Sequence, residues 1–305
     1  MPALTPLQSG FVAKIADVDL SRPLDESTFG FIERAFQQYP VLVFPNQPLT
    51  EEQQLDFARR WGPVEPPITP YVQTRDNKRR LGAAEFADIS NLDENGRLIS
   101  KDDNRRLVNR ANQLWHTDST FTRTPAKMSM LSAQISVPTG GETEFADMRA
   151  AWEALPEHTK KKIGNLVAKH DYFHSRLQVG LDPTSISEER RKLLPAVPQR
   201  LIRVNPLSGR NSLYLASHIA GIYGMGDAEG KALVQELTQH ATQSRFVYQH
   251  KWTDNDVVMW DNRYTMHRGR PYDDSSARAM RRATVMDEAP TVPIGEEPPE
   301  HTASA

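Results

Sequence analysis

Apolar residues recur with helical spacing in two segments within the first sixty positions of the chain. The first segment predicts an amphipathic helix over residues 27–38. In the second, Thr50 can cap a helix, Gln53 would complete a capping box, and Gly62 would end the helix. Between the two, the continuous apolar run at residues 41–44 predicts a short buried strand.

Much of the remaining pattern consists of short apolar runs separated by turn residues, which is typical of an antiparallel sandwich or barrel. Helical periods indicate two short helices within residues 148–166 and a longer one over 227–243. The pattern therefore predicts a mostly β fold with flanking helices. It argues against a Rossmann or P-loop fold, because strands and helices do not alternate regularly and no Gly-rich phosphate loop occurs. The predicted strands lie at residues 128–137, 201–204, 212–215, 246–251, 256–260 and 282–286.

Two stretches are expected to lie outside the core. Residues 65–110 are mostly polar, with a basic cluster at 78–80, and they predict a long excursion or lid. Residues 290–305 are rich in Pro, Glu and small side chains, and they predict a disordered tail. The remainder is interpreted as a single domain spanning residues 1–289.

The composition is that of an ordinary globular protein, with 38% hydrophobic residues, 25% charged residues and a formal net charge of −2. Nothing in this balance favours nucleic acid or a membrane surface as a partner. The chain contains no cysteine, which excludes disulfides, thiolate metal sites and cysteine nucleophiles. The first residues do not resemble a secretory signal, and no apolar run is long enough for a membrane span, so we expect a cytoplasmic protein.

A metal-ligand pattern occurs around residue 116. On an extended strand, His116 and Asp118 would point to the same face, and His267 is the best candidate for a third ligand. Two His and one carboxylate form the facial triad of non-haem Fe(II) oxygenases. However, with nine histidines a His-x-Asp pair is expected by chance about half the time. The interpretation therefore needs further residues.

Residues suited to binding a carboxylate accompany the triad. Arg278 and Arg282 are four positions apart, which is two strand repeats, so both could face one cavity. Arginine binds a carboxylate through two parallel charge-assisted hydrogen bonds. Thr143, which follows a Gly-Gly turn, could add a hydroxyl to the same carboxylate. The pattern indicates a metal centre beside a site for an acidic small molecule.

With these residues in place, the sequence resembles the taurine and 2,4-dichlorophenoxyacetate dioxygenases, a family that depends on Fe(II) and 2-oxoglutarate. The resemblance covers about residues 10–287. It is densest at 114–156, which begins with LWHTDSTF, and at 246–284, which contains VVMWDNRYTMHRGRPYD. It implies a double-stranded β-helix (jelly-roll) core, dioxygen as the other cosubstrate, and a homo-oligomer, with a dimer favoured.

The resemblance also implies roles for individual residues. Arg278, helped by Thr143, would hold the distal carboxylate of 2-oxoglutarate. Arg282 stands where the family binds the acidic group of the substrate. Further candidate pocket residues are Asn112, Ser119 and His218. The positions that match the iron ligands are His116, Asp118 and His267.

Within the family, the phrases AEFADISN and HRGRPYD favour the aryloxyacetate branch. His218 stands where the taurine branch carries an aromatic pocket residue. One departure is Asn255 in a turn where Gly is expected, although Asn tolerates a left-handed backbone. The implied reaction hydroxylates the carbon between the ether oxygen and the carboxylate. It gives a phenol and glyoxylate, together with succinate and CO₂ from the cosubstrate.

Other interpretations stay open at this point. The same chemistry could act on taurine, another sulfonate or a natural carboxylic acid. A zinc hydrolase could use the same three ligands, but it gives no role to Arg278 and Thr143. A non-catalytic barrel could simply bind a small acid.

Overall fold

The strands form most of the core. The computed structural model describes residues 1–65, 79–100, 103, 105–206 and 208–299. In this part of the chain the strands are β1 Ala3–Gln8, β2 Val12–Ala16, β3 Val41–Phe44, β4 Ala87–Ser90, β5 Ala126–Ile135, β6 Thr143–Asp147, β7 Val167–His170, β8 Val197–Arg200, β9 Ile202–Val204, β10 Asn211–Leu213, β11 Ile219–Ile222, β12 Val247–His250, β13 Val257–Asp261, β14 Thr265–Gly269 and β15 Ala279–Met286.

The helices are short and lie around the sheets. Short 3₁₀ turns occur at Pro183–Ser185 and Ser244–Phe246. Among the helices of the described residues, none is both long and apolar enough to cross a membrane. The α-helices are α1 Glu26–Gln38, α2 Glu51–Arg59, α3 Arg105–Ala111, α4 Met148–Glu153, α5 Glu157–Ile163, α6 Tyr172–Gln178, α7 Glu188–Leu193 and α8 Asp227–Ala241.

Two sheets pack against each other and enclose part of the core. The larger has the strand order β1-β2-β3-β13-β5-β15-β4 and is antiparallel except where β2 pairs with β3. A smaller sheet has the order β12-β6-β14. The described chain is thus mostly sheet with flanking helices, as the hydrophobic pattern predicts. Two further small sheets, β11-β7-β8 and β10-β9, lie beyond this pair.

β13 shows why the central strands are apolar on both faces. Met259 belongs to the cluster that packs against α1 and α2, whereas its neighbours Val258 and Trp260 pack with Phe145 of the smaller sheet. Successive side chains of a strand point to opposite faces, so a strand between two layers needs apolar residues throughout. The larger sheet is therefore covered by helices on one face and by the smaller sheet on the other.

The capping box predicted at the start of α2 is present. Gln53 N donates to Thr50 Oγ1 at 3.2 Å, and Thr50 N donates to Gln53 Oε1 at 2.8 Å. α2 also connects to the larger sheet, because the buried Gln54 amide donates to the backbone oxygens of Met130 and Arg281. The helix ends at Arg59, three residues before the predicted end at Gly62, because a turn precedes the glycine.

The predicted lid is wrong for part of its length. β4 lies within it and pairs with β15, so it forms the edge strand of the larger sheet. Leu81 and Phe86 are buried in the main core. A strand edge needs a partner for its backbone groups, and the sequence signal for β4 is short and mixed. Residues 66–78, which include part of the basic cluster, lie outside the described residues.

The predicted tail is also packed where the structure describes it. Val292 is buried, and the Thr291 hydroxyl accepts from the backbone N of Arg200 at 3.0 Å. Glu297 pairs with Arg123 at 2.5 Å. The expectation of a disordered tail is therefore wrong for residues 290–299, because a few contacts anchor a segment whose composition is polar. Residues 300–305 lie outside the described part of the chain.

Removing the cap of α2 should destabilise the protein. Thr50→Ala loses the hydroxyl that satisfies a free backbone N–H, and it should lower the free energy of unfolding by about 1 kcal/mol. Thr50→Ser keeps the hydroxyl and should stay close to the wild type. Urea unfolding followed by circular dichroism measures both, and equal stability of the alanine variant and the wild type would contradict this role.

Candidate active site

Three buried side chains from two distant segments meet beside the smaller sheet. His116 and His267 are joined as an isolated antiparallel bridge, in which His116 N donates to His267 O at 2.9 Å and His267 N donates to His116 O at 2.7 Å. Asp118 completes the group. The candidate ligand atoms of the three residues all lie within 4.8 Å of one another. The structure thus brings together the three residues that the sequence suggested as metal ligands.

Asp118 lies in a turn rather than on the extended strand that the sequence predicted. Ser119, with φ of 51°, adopts a left-handed conformation directly after it. Thr117 points away from the site, since its hydroxyl donates to the backbone oxygens of Leu215 and Thr265. His116 and Asp118 nevertheless face the same site, because their candidate ligand atoms lie within 4.8 Å of each other.

Hydrogen bonding and burial prepare the imidazoles to bind a metal. His116 Nδ1 donates to Leu114 O at 2.8 Å if the ring is neutral with Nε2 free, and Nε2 lies 3.8 Å from Asp118 Oδ1. His267 Nε2 lies 3.7 Å from Asp118 Oδ2. Burial lowers the pKa of both His116 and His267, although Asp118 opposes this effect. The neutral ring, which is the form that binds a metal, is therefore favoured.

A chain of hydrogen bonds orients the Asp118 carboxylate. Ser129 Oγ donates to Asp118 Oδ2 at 2.7 Å, and Asn262 Nδ2 donates to Ser129 Oγ at 2.9 Å. Trp260 Nε1 in turn donates to Asn262 Oδ1 at 3.1 Å, which fixes the amide. Partners of this kind hold a metal ligand in position, and losing one typically lowers metal affinity about 10- to 100-fold.

Arg282 pairs directly with the candidate carboxylate ligand, because its Nη1 donates to Asp118 Oδ1. Burial alone would raise the pKa of Asp118, but the pKa is lowered, with the Arg282 guanidinium as the largest opposing effect. Ser119 Oγ donates to Glu65 Oε2 at 2.8 Å. Burial raises the pKa of Glu65 to about 7, against the opposing effects of Ser119 and Arg282.

One side of the triad opens into a cavity of about 750 Å³ that contains the predicted cosubstrate residues. Arg278 is buried there. Its Nη2 donates to Gly141 O at 3.2 Å, while its Nε is buried and has no hydrogen-bond partner among the described residues. The Thr143 hydroxyl accepts from Trp252 Nε1 at 2.9 Å, which leaves its own proton available to donate. Arg282 also lines this cavity, so the two arginines share it as predicted.

The other side opens into a cavity of about 690 Å³ with an aromatic wall. Phe121 and Tyr172 pack edge to face with ring centroids 5.0 Å apart. His218 is buried against Phe121 at 4.8 Å between ring centroids, and its Nδ1 has no hydrogen-bond partner in the described part of the chain. Phe173 completes this wall. The two cavities share Asn112, His116 and Arg282 among their lining residues.

These features fit a divalent metal with a carboxylate cosubstrate beside it. Two imidazoles and one carboxylate leave coordination positions open, which suits Fe(II). The buried, incompletely bonded guanidinium of Arg278 and the donor of Thr143 suit one carboxylate in the first cavity. The glycine at position 141 also leaves room for the Arg278 side chain. A Cβ on Gly141 would lie 3.2 Å from Arg278 Nε and 2.8 Å from Val137 Cγ2.

The sequence and the structure differ most clearly on the supporting residues. Ser129, Trp252, Asn262 and Glu65 were not foreseen, since a lone Ser, Trp, Asn or Glu carries no spacing signal. Ser119 bonds Glu65, and Asn112 and His218 line a cavity, but contact of these three residues with a substrate stays a prediction.

The chain is similar to known dioxygenases over nearly its whole length. A family model described as taurine catabolism dioxygenase TauD, TfdA family, matches residues 3–284. An alpha-ketoglutarate-dependent 2,4-dichlorophenoxyacetate dioxygenase of Cupriavidus pinatubonensis is 43% identical over 284 residues, covering 93% of this chain and 97% of that protein. A protein of the same description from Burkholderia sp. is 43% identical over 276 residues, covering 90% of this chain and 91% of that protein.

A solved structure is similar to this chain over nearly its whole length. The crystal structure of AAD-2 in complex with Mn(II) and N-oxalylglycine has a TM-score of 0.87 and 44% sequence identity. The match covers 96% of this chain and 99% of that chain.

Removing the Ser129 hydroxyl should weaken metal binding without unfolding the site. Ser129→Ala leaves Asp118 Oδ2 without its donor, and we expect affinity for Fe(II) or Mn(II) to fall about tenfold or more. Ser132→Ala is a matched control, because Ser132 is also buried on β5 but its hydroxyl accepts from Gln134 at 3.0 Å. Anaerobic titration calorimetry measures both affinities, and equal losses in the two variants would argue against the orienting role.

Proposed function

The chain belongs to the TauD/TfdA family of dioxygenases, and from this premise we propose that it hydroxylates an aryloxyacetate such as 2,4-dichlorophenoxyacetate, using Fe(II) and 2-oxoglutarate. The products are a phenol and glyoxylate, with succinate and CO₂. The observation that carries the proposal is a buried His-Asp-His group between two cavities, one with a partly unbonded arginine and one with aromatic walls.

His116, Asp118 and His267 would hold the iron, which when bound supplies the activation of dioxygen. The protein contributes a rigid carboxylate, fixed by Ser129, and two neutral imidazoles. Burial around the three ligands excludes water from the reacting atoms.

Arg278 and Thr143 would bind the distal carboxylate of 2-oxoglutarate. A buried arginine that lacks an acidic partner gains most from a carboxylate, because its guanidinium is desolvated. Tyr272 lies beneath it, with its ring centroid 5.2 Å from the Arg278 guanidinium carbon, and limits the directions in which the guanidinium can point. The cosubstrate would thus be positioned by the wall of the first cavity.

The second cavity would bind the substrate. Its aromatic wall, formed by Phe121, Tyr172 and Phe173, offers an apolar surface of the kind that a chlorinated ring requires. Arg282, Asn112, Ser119 and His218 stay candidate substrate residues. The printed activities of the Cupriavidus and Burkholderia relatives support an aryloxyacetate as the substrate class.

We also propose the wider organisation implied by the family. The larger and smaller sheets would form a double-stranded β-helix core, and residues 1–289 would form one catalytic domain. The chain would act as a cytoplasmic homodimer without nucleic-acid or membrane partners. Support for the core comes from Phe145 and Trp260, which pack between the two sheets.

Turnover of a substrate panel tests the proposal. With Fe(II), 2-oxoglutarate and oxygen, 2,4-dichlorophenoxyacetate should give 2,4-dichlorophenol and glyoxylate, with succinate released in equal amount. Taurine and an alkanesulfonate serve as the alternative acids. Release of succinate with a sulfonate but no phenol from any phenoxyacetate would contradict the substrate class. Activity that persists without oxygen and 2-oxoglutarate would indicate a hydrolase instead.

Arg278→Ala should separate cosubstrate binding from metal binding. Loss of one partner of a buried charge pair costs about 3–5 kcal/mol, so affinity for 2-oxoglutarate should fall at least about 100-fold. Iron affinity should stay within about threefold, because Arg278 contacts none of the three ligands. Arg270→Ala is the control, since this exposed arginine borders the same cavity. Anaerobic titration followed by charge-transfer absorption reports both events, and equal loss of both affinities would contradict the assignment.

A further inference from the structure

Arg176 lines the second cavity, and no acidic side chain of the described residues pairs with it. Arg176 lies on α6, where its Nη1 donates to Ser175 Oγ at 2.7 Å and its Nε is buried without a hydrogen-bond partner among the residues that the structure describes. No ion pair joins it to any residue in the part of the chain that the structure describes. A guanidinium with donors to spare, facing a cavity, is suited to a carboxylate.

Arg176 is also held in one orientation. Its guanidinium carbon lies 4.2 Å from the centroid of the Tyr172 ring, one helical turn earlier on the same face of α6. Stacking restricts the rotamers of the arginine before any ligand arrives, so less entropy is lost on binding. Tyr172 therefore both borders the cavity and orients the cation.

Arg176 differs in this respect from other arginines around the cavity. Three of them already pair with carboxylates of the protein itself, so these three gain less from a substrate carboxylate. In particular, Arg282 pairs with a candidate metal ligand and would have to give up that contact. The ion-paired arginines and their partners are Arg80 with Asp88, Arg105 with Asp103, and Arg282 with Asp118.

The position of Arg176 suits the proposed reaction. It lines the cavity together with His218 and His116. A carboxylate held between Arg176 and the metal ligands would place the adjacent carbon near the metal. The aryl ring would then lie against Phe121 and Phe173.

Building on the proposed function, we propose that Arg176 binds the carboxylate of the aryloxyacetate substrate and thereby selects acids over neutral aryl ethers. Arg282, which pairs with Asp118, stays a second candidate contact for the substrate in the same cavity. The assignment gives the cosubstrate Arg278 and adds Arg176 as a cation for the substrate.

Binding measurements on the protein loaded with Mn(II) and N-oxalylglycine test the assignment without turnover. The probes are 2,4-dichlorophenoxyacetate and its uncharged methyl ester, titrated by calorimetry. Arg176→Gln should raise the Kd of the acid about 100-fold, as expected when one partner of a desolvated charge pair is removed. The Kd of the ester should change by less than about threefold. Arg176→Lys should recover part of the affinity for the acid, because it keeps the charge.

Arg190→Gln is the matched control, because Arg190 borders the same cavity and lies 5.8 Å from the Phe173 ring. It should leave both Kd values unchanged. Unchanged binding of the acid by Arg176→Gln, equal loss of acid and ester, or no binding of the acid by the wild type would each overturn the assignment. If the wild type binds the acid through Arg176 but releases no phenol with Fe(II) and 2-oxoglutarate, the proposed function fails while the carboxylate contact stands.

Discussion

The backbones of His116 and His267 are hydrogen-bonded to each other in both directions, and the site depends on this pairing. It fixes the loop that carries Asp118 against β14. The two imidazoles and the carboxylate therefore lie close enough together to bind one metal ion. Because the bonds are between backbone atoms, they do not use the side-chain atoms that a metal requires. The left-handed turn at Ser119 then moves the chain away from the ligands.

Side chains from the neighbouring strands hold the candidate metal ligands in position. Ser129 and Asn262, from β5 and the turn after β13, hold the carboxylate of Asp118. Arg282 of β15 neutralises part of its charge. The larger sheet thus supplies the partners of the ligands, whereas the smaller sheet supplies Thr143 and His267. Because both sheets are rigidly packed, small shifts of one ligand relative to another are resisted.

Three arginines lie around the site, and each has different surroundings. Among the described residues, Arg282 pairs with the carboxylate of Asp118, whereas Arg278 and Arg176 form no ion pair with an acidic side chain. Arg278 lines the first cavity and Arg176 lines the second. In the proposed function, the cosubstrate and the substrate would therefore each have a cation of its own.

The sequence by itself determined the mostly β class, the helices at α1, α2 and α8, and the choice of His116, Asp118 and His267 as candidate metal ligands. Periodicity and residue type are local properties, so the capping box at Thr50 and the pair His116 and Asp118 could be read directly. It did not determine β4, the contacts of residues 290–299, or the partners Ser129 and Asn262. Those depend on pairings between residues far apart in the chain, which leave no local signal. The tertiary structure alone decided that Arg282 meets Asp118 and that Arg176 meets no acidic side chain among the described residues.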